Sequence, residues 1–224
     1  MKIYYSLFAF FLLISNLIIA QTNSNEDWAN LKKYEAENKT VKPMKNATVL
    51  MGDSITEFWK PTSPDFFKKY PLLDRGISGQ TTSQMLLRFD QDVIQLKPST
   101  VVILAGINDI AENTGPITLE EIFANIKNMV EKAKENKIKV VLCSVLPANN
   151  FYWNTKILPA DKVIMLNKMI NEYATKNKIT YVDYYSKMVD DKKGLLKIYG
   201  EDGVHPNAEG YKIMETLLLK ALPF

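Results

Sequence analysis

Five short apolar runs, at residues 47–51, 71–75, 100–105, 139–144 and 180–183, punctuate this chain. A strand with one wet face alternates apolar and polar residues, whereas these runs, strongest in Thr100-Val101-Val102-Ile103-Leu104-Ala105, are continuously apolar. That pattern predicts parallel strands covered on both faces. Helical patterns fit between and around them. Trp28, Leu31 and Tyr34 predict a short helix within 27–42. Thr118 and Glu121 form a capping-box signature ahead of the apolar face Ile122, Ile126, Met129, Val130 and Ala133. Further helices are expected over 159–176 and 207–222. Alternating strands and helices with no interdomain linker or internal repeat predict one α/β domain, a three-layer α/β/α sandwich with a five-stranded parallel sheet.

Composition narrows the function. With 46% hydrophobic and 24% charged residues the chain has the composition of an ordinary globular protein, and a net charge of +3 with scattered basic residues excludes the footprint of a nucleic-acid binder. Residues 1–20 read differently: Met1-Lys2, an apolar stretch, then Ala20 before polar Gln21-Thr22-Asn23-Ser24. This is the pattern of a secretory signal peptide cleaved after Ala20, leaving a single domain over 21–224 in a secreted or periplasmic protein with no membrane insertion after cleavage. The apolar run is long enough that an uncleaved anchor stays open, and the absence of a cysteine near the junction argues against a lipoprotein. The sole cysteine, Cys143, lies in an apolar run and reads as a packing residue. With one cysteine and one histidine far apart, neither zinc nor any other metal is expected, and no phosphate-binding glycine loop of the Walker type is present.

Ligands of such sheets bind beyond the carboxyl ends of the strands, so the segments there carry the function. After the first run comes Gly52-Asp53-Ser54-Ile55-Thr56, and after the second Gly76-Ile77-Ser78-Gly79-Gln80-Thr81-Thr82. After the third comes Gly106-Ile107-Asn108-Asp109, and before the last helix Asp202-Gly203-Val204-His205-Pro206. His205 is the only histidine, so a mechanism that uses imidazole has one candidate, and Asp202 at i−3 is placed to orient its ring. Ser54, just after a strand, is the candidate nucleophile. Asp53 reads as a structural hydrogen-bonding neighbour.

These four blocks resemble those of the SGNH hydrolases of the GDSL esterase and lipase superfamily, named for the Ser, Gly, Asn and His that they supply. The run Arg75–Thr82 and the Asn108-Asp109 turn are most similar to those of bacterial acylhydrolases related to the platelet-activating factor acetylhydrolase catalytic subunits. The resemblance implies a flavodoxin-like fold, no cofactor, and a serine esterase with the catalytic residues Ser54, His205 and Asp202. It also implies an oxyanion hole formed by the N–H groups of Ser54 and Gly79 and the side-chain amide of Asn108, with Gly76 competing with Gly79. The aromatic run Phe151-Tyr152-Trp153 either borders the cleft as a substrate-binding wall or packs on neighbouring helices. The expected substrate is a small-molecule or glycan ester with a short acyl group, such as an O-acetylated carbohydrate. A lysophospholipase or thioesterase, an acyltransferase and a non-catalytic glycan-binding module are the alternatives, and the oligomeric state is left open.

Overall fold

The computed structural model describes residues 27–42 and 44–222, so the expected signal peptide over 1–20 lies outside the described residues. In chain order the elements are α1 (Lys32–Thr40), β1 (Thr48–Gly52), α2 (Ser54–Glu57), α3 (Trp59–Thr62), α4 (Pro64–Lys69), β2 (Leu72–Gly76) and α5 (Thr82–Asp92). They continue with β3 (Thr100–Ile103), α6 (Ile107–Ile110), α7 (Leu119–Glu135), β4 (Lys139–Cys143), α8 (Ala160–Lys176), β5 (Thr180–Val182), α9 (Tyr185–Met188) and α10 (Ala208–Leu219). The five strands are all parallel in the order β2-β1-β3-β4-β5, the flavodoxin-like arrangement, with the direction of winding reversing at β1.

Every residue of β1 and β3 is buried, so both faces of the sheet centre are covered, as the continuous apolar runs require. Helices α5, α7 and α8 pack side by side, and α10 packs on α3. The predicted face of α7 is buried in full, and Thr118 and Glu121 form their capping box, Glu121 Oε2 accepting from the Thr118 N–H at 2.9 Å. Cys143 is buried and unpaired, and burial pushes its thiol up to about 12. Among the described residues no helix is long and apolar enough to cross a membrane.

The N-terminal segment departs from its helical reading. Helix α1 starts only at Lys32, and Trp28 and Leu31 are exposed, leaving Tyr34 as its buried residue. The Asp27 carboxylate accepts from the Leu31 and Lys32 N–H groups at 2.7 and 2.9 Å and holds residues 27–31 in a turn. The carbonyls of that turn are taken by side chains: Gln84, Gln80 and Gln91 donate to Trp28, Ala29 and Leu31. The turn is thus a strap tied by hydrogen bonds rather than an amphipathic helix.

Helix α5 has no simple apolar stripe, because Arg88 stands on its core face beside Met85 and Phe89. Arg88 is fully buried. Its guanidinium donates to the Gly52 carbonyl at 2.9 Å, the Arg75 carbonyl at 2.8 Å, Gln80 Oε1 and Asp92 Oδ2 at 3.0 Å. It therefore ties together the carboxyl ends of β1 and β2. Replacing Arg88 with Met leaves Asp92 buried without its cation and removes a donor from each of the two carbonyls. This substitution is expected to lower the unfolding free energy by about 3–5 kcal/mol, read from the urea midpoint at unchanged slope. A loss within about 1 kcal/mol, the scale of a surface pair, would contradict that role.

Candidate active site

Ser54 opens α2 immediately after β1, at the point where the winding of the sheet reverses. Asp53 caps this short helix, its Oδ1 accepting from the Ile55 N–H at 2.9 Å, and Tyr211 of α10 donates from its hydroxyl to the Ile55 carbonyl at 2.8 Å. The serine is thereby clamped from both sides of its own turn.

His205 precedes α10, whose N-cap is Asn207, so Pro206 lies just outside the helix rather than in its first turn. Ser54 Oγ stands 2.9 Å from His205 Nε2, and His205 Nδ1 stands 2.7 Å from Asp202 Oδ2. Asp202 Oδ1 also accepts from the Val204 and His205 N–H groups at 2.9 and 2.8 Å. Burial works to raise the Asp202 carboxyl, but the His205 backbone and ring and the Val204 N–H outweigh it and hold the carboxyl below its ordinary value. An ionised carboxylate only accepts, so Nδ1 carries the proton it receives and Nε2 offers its lone pair to the serine hydroxyl. The Phe58 ring lies 5.5 Å from the imidazole, tilted by 47°.

The loop after β2 faces the same space. Glu57 accepts from the Ser78 N–H and hydroxyl, each at 2.6 Å, and pairs with Lys33, pinning the loop to α2. Gly79 has φ +77°, a left-handed conformation that glycine adopts freely, and a Cβ there would meet no atom. The two glycines of this block differ. The Gly76 N–H donates to Asp74 Oδ1 at 2.8 Å, and a Cβ on Gly76 would lie 2.1 Å from the Glu57 nitrogen. Gly76 thus serves close packing of β2 on α2, while Gly79 borders the cleft beside Ser54 and Asn108. Among the described residues, the N–H groups of Ser54 and Gly79 have no recorded protein acceptor.

Asn108, in α6, donates from Nδ2 to the Gln80 carbonyl at 3.1 Å, which leaves its second N–H without a protein acceptor among the described residues. Asp109 accepts from the Thr82 N–H, at 2.9 Å to Oδ2, and from the Thr82 hydroxyl, joining α6 to α5. The arrangement places a serine, an oriented imidazole and three unengaged N–H donors around one cleft of about 490 Å³. Chemically, that combination can deprotonate a hydroxyl and hold a developing oxyanion.

The aromatic run is divided by the fold. Tyr152 and Trp153 line the cleft, but Phe151 is fully buried and cannot touch a ligand there. It stacks beneath Trp153 at 4.9 Å between centroids and serves as its support. Phe58, Ser78 and Asn113 also line the cleft and were not singled out from sequence. Phe58 stands at i+4 from Ser54 and was open to a helical reading; Asn113 carries no such signal. Among the described residues, no group of three or more His, Cys, Asp or Glu is placed to hold a metal ion.

The fold and this site define the class of SGNH hydrolases, which are ester hydrolases. The model of the GDSL-like Lipase/Acylhydrolase family matches residues 50–213, and the chain belongs to that family. A GDSL-like lipase from Bacteroides thetaiotaomicron is 51% identical with a TM-score of 0.85, covering 87% of this chain and 98% of that one. Esterase TesA of Pseudomonas aeruginosa is 27% identical over 61% of this chain and 62% of its own length. The chain thus spans less than two thirds of that relative. An acetylxylan esterase of Geobacillus stearothermophilus is 23% identical over 68% of this chain and 72% of its own.

Asp53 sits 1% exposed beside the serine, and burial, with the Asp109 charge adding to it, pushes its carboxyl up to about 7. The unfolded chain releases this proton near pH 4. Between those values the folded state holds the extra proton, so raising the pH favours unfolding. Asp53→Asn keeps the capping oxygen and removes this dependence. The melting temperature of the variant relative to the parent is expected to rise steadily from about pH 4.5 to about pH 7.5. A constant difference across that range would show that Asp53 is already ionised in the folded protein.

Proposed function

We propose that this protein is a serine esterase that hydrolyses short-chain acyl esters through a Ser54–His205–Asp202 triad, with O-acetylated carbohydrates as the substrate class. The observation that carries the proposal is the continuous chain from Asp202 through His205 to the Ser54 hydroxyl, at 2.7 and 2.9 Å. In this reading Ser54 Oγ attacks the ester carbonyl as His205 Nε2 takes its proton. The oxyanion is held by the N–H groups of Ser54 and Gly79 and by Asn108 Nδ2. The imidazolium, stabilised by Asp202, then protonates the departing alcohol, leaving an acyl-serine. Water activated by the same nitrogen attacks the acyl-serine through a second oxyanion, releases the acid and restores the serine. Each oxyanion donor contributes on the order of 2.7–4 kcal/mol to the transition state.

The carbohydrate preference is supported by the open cleft edged by Trp153 and Tyr152, whose faces suit stacking on a sugar ring, and by the match to an acetylxylan esterase. A lipid acylhydrolase is the second reading, favoured by the 51% identity to a GDSL-like lipase. Export, with cleavage after Ala20, belongs to the same proposal and fits an extracellular or envelope ester.

The test is hydrolysis of p-nitrophenyl acetate, butyrate, octanoate and palmitate by residues 21–224. Turnover is expected to be confined to the two short esters and to vanish with Ser54→Ala or His205→Ala. Asn108→Ala is expected to lower kcat by roughly 10²–10³-fold with KM little changed. Rates that climb with chain length would move the assignment to lipids, and turnover that survives Ser54→Ala would overturn the mechanism.

A further inference from the structure

We propose that Asn113 is a positioning residue that sets which way the Asn108 amide points and links it to the cleft wall at Trp153. The inference rests on the esterase reading above, because it concerns the donor that Asn108 presents to the oxyanion.

Asn113 lies in the loop after α6 and borders the cleft. Its Nδ2 donates to Asn108 Oδ1 at 2.9 Å and to the Gly79 carbonyl at 3.3 Å, and its Oδ1 accepts from Trp153 Nε1 at 3.3 Å. The polarity of this chain is dictated by its ends. An indole N–H only donates, so the amide oxygen of Asn113 faces Trp153. A peptide carbonyl only accepts, so its nitrogen faces Gly79, and with it Asn108. Asn108 must then turn its oxygen to Asn113 and its nitrogen to the Gln80 carbonyl and the cleft.

A flipped Asn108 would set two amide nitrogens face to face and its oxygen against the Gln80 carbonyl. It would also present an acceptor, rather than a donor, to the developing oxyanion. Gln80 restrains the amide from the buried side, and Asn113 restrains it from the cleft side. Asn113 also touches the Gly79 carbonyl, but that loop is pinned independently by Glu57 through Ser78, so the effect of Asn113 runs through the Asn108 amide. Trp153 enters the same chain through its N–H, and Phe151 stacked beneath it fixes the indole. The wall against which a substrate rests is therefore joined through one side chain to the group that would stabilise its oxyanion.

The test is a double-mutant cycle on p-nitrophenyl acetate hydrolysis with Asn113→Leu, a substitution of similar size without polar atoms, and Asn108→Ala. Both half-reactions pass through an oxyanion, so kcat reads the amide whichever step is slower. Asn113→Leu is expected to lower kcat about tenfold, as the loss of one or two ordinary hydrogen bonds allows, with KM within about twofold and the melting temperature unchanged. On the Asn108→Ala background it is expected to cause no further loss. Asn113→Ala should reproduce both results and guards against an effect of the leucine itself. Unchanged kcat in both single variants, or a tenfold loss that recurs in full without the Asn108 amide, would overturn the proposal. If Ser54→Ala and Asn108→Ala themselves left turnover intact, the esterase reading would fail instead.

Discussion

Arg88 carries a permanent charge into the centre of the domain and finds a partner for each part of its guanidinium there. It donates to the carbonyls of Gly52, the last residue of β1, and Arg75, the next to last of β2, and the Gly52 carbonyl also accepts from the Ile77 N–H at 3.1 Å. Asp92 balances its charge and Gln80 continues the network into the loop of Gly79. The two strand ends that launch Ser54 and Gly79 are thus held at fixed separation by one side chain from α5.

Around this tie the site is assembled from segments distant in sequence, each held by backbone hydrogen bonds rather than by packing alone. Glu57 grips the Ser78 loop, Asp109 grips the start of α5 through Thr82, and Tyr211 grips the turn of Ser54. The strap of residues 27–31 adds a layer from outside, since Gln80 and Gln84 donate to its carbonyls. Arg75 is held by α1, with Asn38 Oδ1 accepting from its Nε at 2.9 Å and its guanidinium 4.7 Å from the Tyr34 ring centre. Rigid placement of donors before a substrate arrives is the condition under which an oxyanion site is effective.

The buried acids differ from the acid at the rim of the cleft. Burial lifts the carboxyls of Asp53 and Asp109, and lifts Asp74 to about 6, while Asp202, at the rim and rich in N–H donors, is held low. The contrast leaves a carboxylate beside the imidazole.

Much of the fold was legible because it follows from local pattern. Continuous apolar runs need two covered faces, so the parallel sheet could be read, and the capping box at Thr118 placed the start of α7. Helix α5 was less legible, because its core face carries Arg88, whose burial is tolerable only with partners from β1, β2 and Gln80. Asn167 is of the same kind: buried on α8, it exchanges hydrogen bonds with both backbone groups of Val145, a match invisible at 22 residues' separation. By itself the sequence determined the residue types that a serine esterase requires, a single histidine with an aspartate three residues before it, and their positions at strand ends or at a helix start. Only the tertiary structure decided which glycine borders the cleft, that Phe151 supports Trp153 rather than lining the wall, and that Asn113 faces Asn108. Those outcomes depend on where separate segments meet, and hydrogen-bond polarity and close packing are set by contact in space rather than by order along the chain.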